Sequence, residues 1–385
     1  MKKLISVLLI LCACLLLLTA CQSKEPAAPA ATEQPAAETE AEQPAAETEA
    51  AQPAAEKADN KVLNVMNYGE YIDEQVLRNF EKEYGVKINH AFNDTPEAMY
   101  TKLQTGVSYD VVVTSDYMID RLIREKKVQK LDKNVVTNLD QLSDQVKNLY
   151  FDPQNEYSAP YLWQNVVLCY DTTKIDPAKV EEKGWAILLD PELDGHVFIY
   201  DSPRDIFMMA LKNLGYSMNT ESSDELQAAF DWLVKMNQTI HPDFVGDEMI
   251  DGMAHGEKWM AMMYSGDAVY ASTENEKLTI CAPAEGTNIA YDNMFIPSNA
   301  GNPEMANKFI NYVLDYENAM MITVETCYST PNAKVAADVT AEGGEFEGIE
   351  WYIPRTGYEK DEIYTDNDLL RTETPEMLMK VKLQK

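Results

Sequence analysis

Tyr109-Asp110-Val111-Val112-Val113-Thr114-Ser115-Asp116-Tyr117-Met118-Ile119 changes its hydrophobic period in the middle. Val111 to Val113 is an unbroken β-branched run, as in a strand buried on both faces. From Ser115 onward the apolar residues fall at Met118, Ile119, Leu122 and Ile123, one stripe of a helix. A buried strand that turns directly into a helix is the unit of an α/β fold. The same unit recurs on either side. Val62 to Met66 reads as a strand, followed by a helix near Asp73 to Tyr84 with Val76, Leu77 and Phe80 on one face and Gly85 as its stop. Val86 to Phe92 is a second strand, and Thr95-Pro96-Glu97 starts a helix with a capping side chain and proline in the first turn.

Further along, Val166 to Tyr170, Val197 to Tyr200, Met260 to Met263, Thr279 to Cys281 and Asp292 to Ile296 read as strands. Ser202-Pro203-Arg204-Asp205 opens a helix that Gly215 ends, and Ser222 to Glu225 fits a capping box. Asn302 and Asp315 start two more helices. From Ala336 to Gly348 the pattern dissolves into acidic loop, and no element is read beyond it.

The N-terminus sets the compartment. Lys2 and Lys3 precede an apolar run, Leu4 to Leu18, which ends in Thr19-Ala20-Cys21. That run is shorter than the ~20 residues of a membrane span. With small residues before a cysteine, residues 1–20 are expected to be a signal peptide and Cys21 a lipidation site. Residues 22–60 repeat Glu-Gln-Pro-Ala-Ala-Glu-Thr-Glu-Ala with no large apolar side chain, so they are expected to form a disordered tether.

The charge lies in the remainder. Residues 1–60 hold nine acids and four bases, leaving 55 acids against 28 bases in residues 61–385. Such a balance argues against nucleic-acid partners and is compatible with a cationic ligand. The three cysteines beyond the tether, Cys169, Cys281 and Cys327, have no metal or framework spacing, and His90, His196, His241 and His255 are scattered. There is no GxSxG elbow, P-loop or HExxH, so neither an enzyme nor a metal protein is indicated. No cofactor is expected. A binder of amino acids would want arginine for the carboxylate, and here acids crowd the strand ends instead.

In open α/β sheets ligands bind beyond the carboxyl ends of strands. Those ends carry Asn67-Tyr68-Gly69-Glu70-Tyr71, Ser115-Asp116-Tyr117, Asp201-Ser202-Pro203-Arg204-Asp205 and Tyr264-Ser265-Gly266-Asp267, and Asp292 stands just behind Tyr291. At these residues, and at Phe151-Asp152-Pro153, Ser158 to Trp163, Met209 to Tyr216 and Tyr328-Ser329-Thr330-Pro331-Asn332, the chain resembles the spermidine/putrescine-binding proteins of ABC importers. The resemblance runs over about residues 62–335 and implies a two-lobed, periplasmic-binding-protein-like fold of type II with the ligand cleft between the lobes. Lobe one is then expected at 61–165 with 292–328, and lobe two at 166–291 with 329–385.

Position by position, the resemblance implies ligand contacts from Tyr68, Glu70, Tyr71, Ser115, Tyr117, Asp205, Tyr264, Asp267, Asp292 and Tyr328. Tyr68 and Tyr264 stand where tryptophan is usual, and Gly69 and Ala290 also depart from the pattern. It implies a monomer that takes a small polyamine and serves a permease and ATPase pair from the extracytoplasmic face of the membrane. Another small cationic solute is the alternative ligand. Asp116 is taken as a helix-start acid outside the site, and Arg204 as a structural ion-pair partner. Replacing Cys21 by alanine is expected to release the protein from the membrane fraction. A variant that stays there with unchanged mass would remove the lipid anchor from consideration.

Overall fold

A computed structural model describes residues 61–384; the signal peptide, Cys21 and the tether expected within residues 1–60 lie outside the described residues. Ten strands are present among them: β1 (Val62–Asn67), β2 (Lys87–Phe92), β3 (Val111–Ser115), β4 (Ser158–Gln164), β5 (Val166–Asp171), β6 (Val197–Tyr200), β7 (Asp243–Val245), β8 (Met260–Tyr264), β9 (Leu278–Cys281) and β10 (Ala290–Phe295). They form two five-stranded sheets, ordered β2-β1-β3-β10-β4 and β7-β6-β8-β5-β9. In the first, β1 is parallel to β2 and β3, while β10 is antiparallel to both β3 and β4. In the second, β6 is parallel to β7 and β8, while β5 is antiparallel to β8 and β9.

Helix starts follow the sequence signals. Asp73 caps the helix Glu74–Tyr84 by accepting from the Gln75 amide, and Gly85 ends it at φ +66°. Thr95, Ser202, Asn302 and Asp315 each accept an amide of the first turn that follows them. Ser222 caps its helix as well, but Glu225 does not reach back to complete the box: its carboxylate accepts the Thr220 hydroxyl instead. The strand expected from Asp292 begins two residues earlier, where Ala290 and Tyr291 pair with Gln164 and Trp163.

Burial on two faces explains the apolar strands. In the second sheet Val166, Leu168, Val197 and Ile199 join the core beneath the helices Pro203–Asn213 and Ser223–Ile240. The alternate residues Val167, Cys169, Ala261 and Met263 pack with Met249, Val269, Val335 and Tyr352 on the other side. The C-terminal helix Asp368–Leu383, which sequence periodicity does not reveal, contains Pro375 and lies against the first of these layers through Leu370, Leu378 and Val381. No helix among the described residues is long and apolar enough to cross a membrane.

The two sheets are joined at a buried polar knot. Asn165 alone separates β4 from β5. Its amide group donates to the Asn288 carbonyl at 2.6 Å, and the Asn288 side chain accepts from the Val166 amide at 2.7 Å. Asn165 Oδ1 also accepts from the Arg355 amide at 2.7 Å, and its carbonyl from the Ser265 amide at 2.9 Å. Asn165 and Asn288 are both fully buried. An unpaired buried amide or carbonyl costs about 1–3 kcal/mol. Asn165→Leu, which strips the partners of Asn288 and Arg355, is therefore expected to lower the unfolding free energy by about 2–5 kcal/mol. An unchanged denaturant midpoint would mean that the knot adds nothing to stability.

Candidate functional site

The carboxyl ends of β1, β3, β6 and β8 converge with β10 on one cleft, where three acids are buried, each met by tyrosine hydroxyls. Asp292, on β10, is 2% exposed. The Tyr71 hydroxyl donates to its Oδ2 at 2.8 Å and the Ser115 hydroxyl to its Oδ1 at 2.8 Å; the Gln164 amide lies 3.3 Å from Oδ2. Ser115 stands at the start of helix Asp116–Arg124 but gives that helix no side-chain cap, because its hydroxyl is committed to Asp292. A bulge in the β4–β10 pairing helps to set this position: Asp292 is opposite Leu162 and Asn293 opposite Pro160, leaving Tyr161 as the extra residue. Tyr161 uses the displacement to donate its hydroxyl to the Tyr71 carbonyl.

Asp205, in the first turn of helix Pro203–Asn213, accepts from Tyr264 at 2.9 Å and from Tyr364 at 2.7 Å. Asp267, in the first turn of helix Ser265–Glu274, accepts from Tyr328 at 2.8 Å. The Tyr71 and Tyr328 rings meet edge to face at 4.8 Å, linking the Asp292 and Asp267 clusters. Gly266 is required for that contact, since a Cβ there would stand 2.3 Å from the Tyr328 ring.

Burial dominates the electrostatics. It pushes the Asp292 carboxyl above its usual range, with Asp205 adding to the effect and the Tyr71, Ser115 and Gln164 hydrogen bonds opposing it. It pushes Asp267 up to about 7, against the Tyr328 hydrogen bond and with help from Asp247 and Glu70. The tyrosines Tyr71, Tyr264, Tyr328 and Tyr364 are held far above their ordinary range, again by burial first, so each remains a hydrogen-bond donor.

The sequence-derived residues thus fall into groups. Tyr71, Ser115 and Asp292 form one, Asp205 and Tyr264 a second, Asp267 and Tyr328 a third. Tyr68 packs on Tyr71 with ring centroids 5.7 Å apart, and its buried hydroxyl has no hydrogen-bond partner in the protein. Glu70 is exposed at the rim in a left-handed conformation, φ +49°, within electrostatic reach of Asp267 and Asp247. Tyr117 stands apart, donating to Glu97 at 3.0 Å beneath the Arg204 guanidinium.

Sequence reading missed Gln164, Glu97 and Tyr364. Gln164 ends β4, a strand disguised by Pro160, which an edge strand tolerates. Tyr364 lies in a C-terminal segment with no periodicity. Asp116 begins its helix as expected and is fully buried, accepting from the Tyr117 amide at 2.6 Å and the Tyr291 amide at 3.0 Å, bracing β3 to β10. Burial raises its carboxyl to about 8. Among the described residues no group of three or more histidines, cysteines or acids is placed to hold a metal ion.

Known proteins are similar to this chain in sequence and architecture. The spermidine/putrescine-binding periplasmic protein of Escherichia coli is 35% identical over 276 residues, covering 71% of this chain and 78% of that one. The putrescine/cadaverine-binding protein of Pseudomonas aeruginosa is 30% identical, covering 70% and 79%. The solved structure of the spermidine/putrescine ABC transporter substrate-binding protein of Streptococcus pneumoniae superposes with a TM-score of 0.66 at 29% identity, covering 84% of this chain and 99% of that one. The profile of the bacterial extracellular solute-binding proteins matches residues 75–346, well over half of the sequence. The chain belongs to that family, whose members are solute-binding transport proteins rather than enzymes.

Proposed function

We propose that this solute-binding protein captures a polyamine of the spermidine/putrescine class between two lobes and delivers it to an ABC permease and its ATPase. A lipid on Cys21 would hold the protein, as a monomer, on the extracytoplasmic face of the membrane. We assign lobe one to residues 61–165 with 292–328 and lobe two to 166–291 with 329–385. The ligand contacts are Tyr68, Glu70, Tyr71, Ser115, Asp205, Tyr264, Asp267, Asp292 and Tyr328, with Tyr117 closing one end of the cleft.

The observation that carries this reading is the set of three buried carboxylates, Asp292, Asp205 and Asp267, met by hydroxyl donors and not by cations. Arg204 is the cation that the described residues bring to this cleft, and Glu97 already takes it. A flexible dication or trication supplies the missing charge, and tyrosine faces cover the methylenes between its ammonium groups. Each charge-assisted hydrogen bond is worth about 1.5–3 kcal/mol and each cation–ring contact about 0.5–2 kcal/mol. A micromolar complex needs about 8 kcal/mol, so two or three such acids and the tyrosines suffice after ordering costs.

Converting one acid to its amide keeps the shape and removes the charge. Asp292→Asn, Asp205→Asn and Asp267→Asn are each expected to weaken spermidine and putrescine binding by about ten- to hundredfold in calorimetry. Glu304→Gln, at an exposed position of a remote helix, should leave affinity unchanged. If all three cleft variants bind as the parent does, the site is misplaced; if the parent binds no polyamine, the ligand class is wrong.

The raised carboxyls give a pH dependence of definite sign. Asp267 is neutral below about 7 and ionised above it, and only the ionised form attracts a cation. Polyamine affinity should therefore rise between about pH 5.5 and 8, with protons released on binding near neutrality. Because the folded protein holds that proton more tightly than the unfolded chain, the ligand-free protein should lose stability as pH rises from about 4 to 7. The gain in melting temperature on adding polyamine should be larger at pH 8 than at pH 5.5; equal gains would rule out proton-linked binding.

A further inference from the structure

Arg204 and Asp205 are neighbours in one helical turn, yet their side chains enter different surroundings, and Tyr364 touches both. The Tyr364 hydroxyl donates to Asp205, while its ring centroid lies 5.1 Å from the Arg204 guanidinium carbon. On the other side that carbon sits 3.6 Å from the Tyr117 ring centroid. Arg204 Nη2 donates to Glu97 Oε1 at 3.2 Å, and the Tyr117 hydroxyl donates to the same oxygen at 3.0 Å. The Arg204 side chain is 13% exposed, and its Nη1 is buried without a hydrogen-bond partner. Two aromatic faces and a carboxylate around one cation make the seat that an alkylammonium group also takes. It adjoins the acid cleft, because Tyr364 is a wall of both.

We propose that Arg204 is a specificity-determining residue: a tethered cation that fills an ammonium seat built by Glu97, Tyr117 and Tyr364 and so ends the ligand's path on that side. The inference rests on the polyamine reading and deepens it. Ammonium groups are accommodated along Asp205, Asp292 and Asp267, whereas one placed further along, beyond Tyr364, must compete with a guanidinium that is covalently held and never leaves by diffusion. Effective concentration favours the resident. Tyr117 then acts on the ligand through Arg204 rather than by touching it. The site is thereby matched to short polyamines, and lengthening the chain beyond what the three acids use brings no gain.

The test measures the ratio of affinities within one homologous series: putrescine, spermidine and spermine, by calorimetry on the full chain. Removing the resident by Arg204→Ala is expected to raise the spermine-to-putrescine affinity ratio at least about tenfold over the parent, because one added charge-assisted contact is worth about that factor. Arg204→Lys, which keeps a cation in the seat, should hold the parent ratio within about threefold. Adding Glu97→Gln to Arg204→Ala should abolish most of the gain, as the seat then lacks its carboxylate. Arg204→Gln, neutral but closer in size, stands in should the alanine variant not fold. A ratio that stays at the parent value in every folded neutral variant, with all three amines weakened alike, overturns the proposal and leaves Arg204 as a brace between the sheets. Failure of the parent to bind any of the three amines fells the functional reading itself, and is distinct from an unchanged ratio.

Discussion

Carboxylates withdrawn from water must be given hydrogen-bond donors, and in this cleft most of the donors are tyrosine hydroxyls. That choice governs much of the rest. A lysine or arginine on each acid would neutralise it and leave nothing for a ligand to do. A hydroxyl satisfies part of the carboxylate's hydrogen-bonding capacity while leaving its charge uncompensated. The consequence is visible in Asp267 and Asp292, whose carboxyls are pushed upward by burial even with their hydroxyl partners in place. The same rings that deliver the hydroxyls make apolar walls, with Tyr71 standing against Tyr68, Tyr161 and Tyr328. One residue type thus supplies both the donor to the acid and the surface for a ligand's methylenes.

What places those side chains is backbone geometry. Asp205 and Asp267 occupy first turns of helices, where the positive end of the helix dipole favours a negative charge. Asp292 sits on a strand, antiparallel to its neighbours and bulged on one side. Asp116 is the counterexample. It also begins a helix, but it faces into the protein and ties β10 to β3 through the Tyr291 amide. The position of an acid after a strand therefore does not decide whether it meets solvent, ligand or backbone.

This limits what a sequence can reveal. β3, β5 and β8 are legible because both faces are buried and each carries an unbroken apolar run, and β1 is legible despite Asn64 from the apolar residues on either side of it; the helix caps are legible because capping chemistry is local. β4 escapes, since Pro160 argues against a strand unless its edge position is known. Of the site, the residues at strand ends were within reach. Tyr364 and Glu97 were not: one reaches Asp205 from 159 residues away in the chain and the other reaches Arg204 from 107. Nothing local marks either, since their roles exist only once the two sheets face each other.

The one-residue join at Asn165 has a further consequence. β4 and β5 belong to different sheets, but with a single residue between them they share one pleat, and the side chains of each alternate in a fixed phase relative to the other. Adding or deleting one residue there would invert the inward and outward sides of whichever strand followed, turning Val167 and Cys169 into the positions of Val166 and Leu168. The join is thus fixed in length as well as in residue.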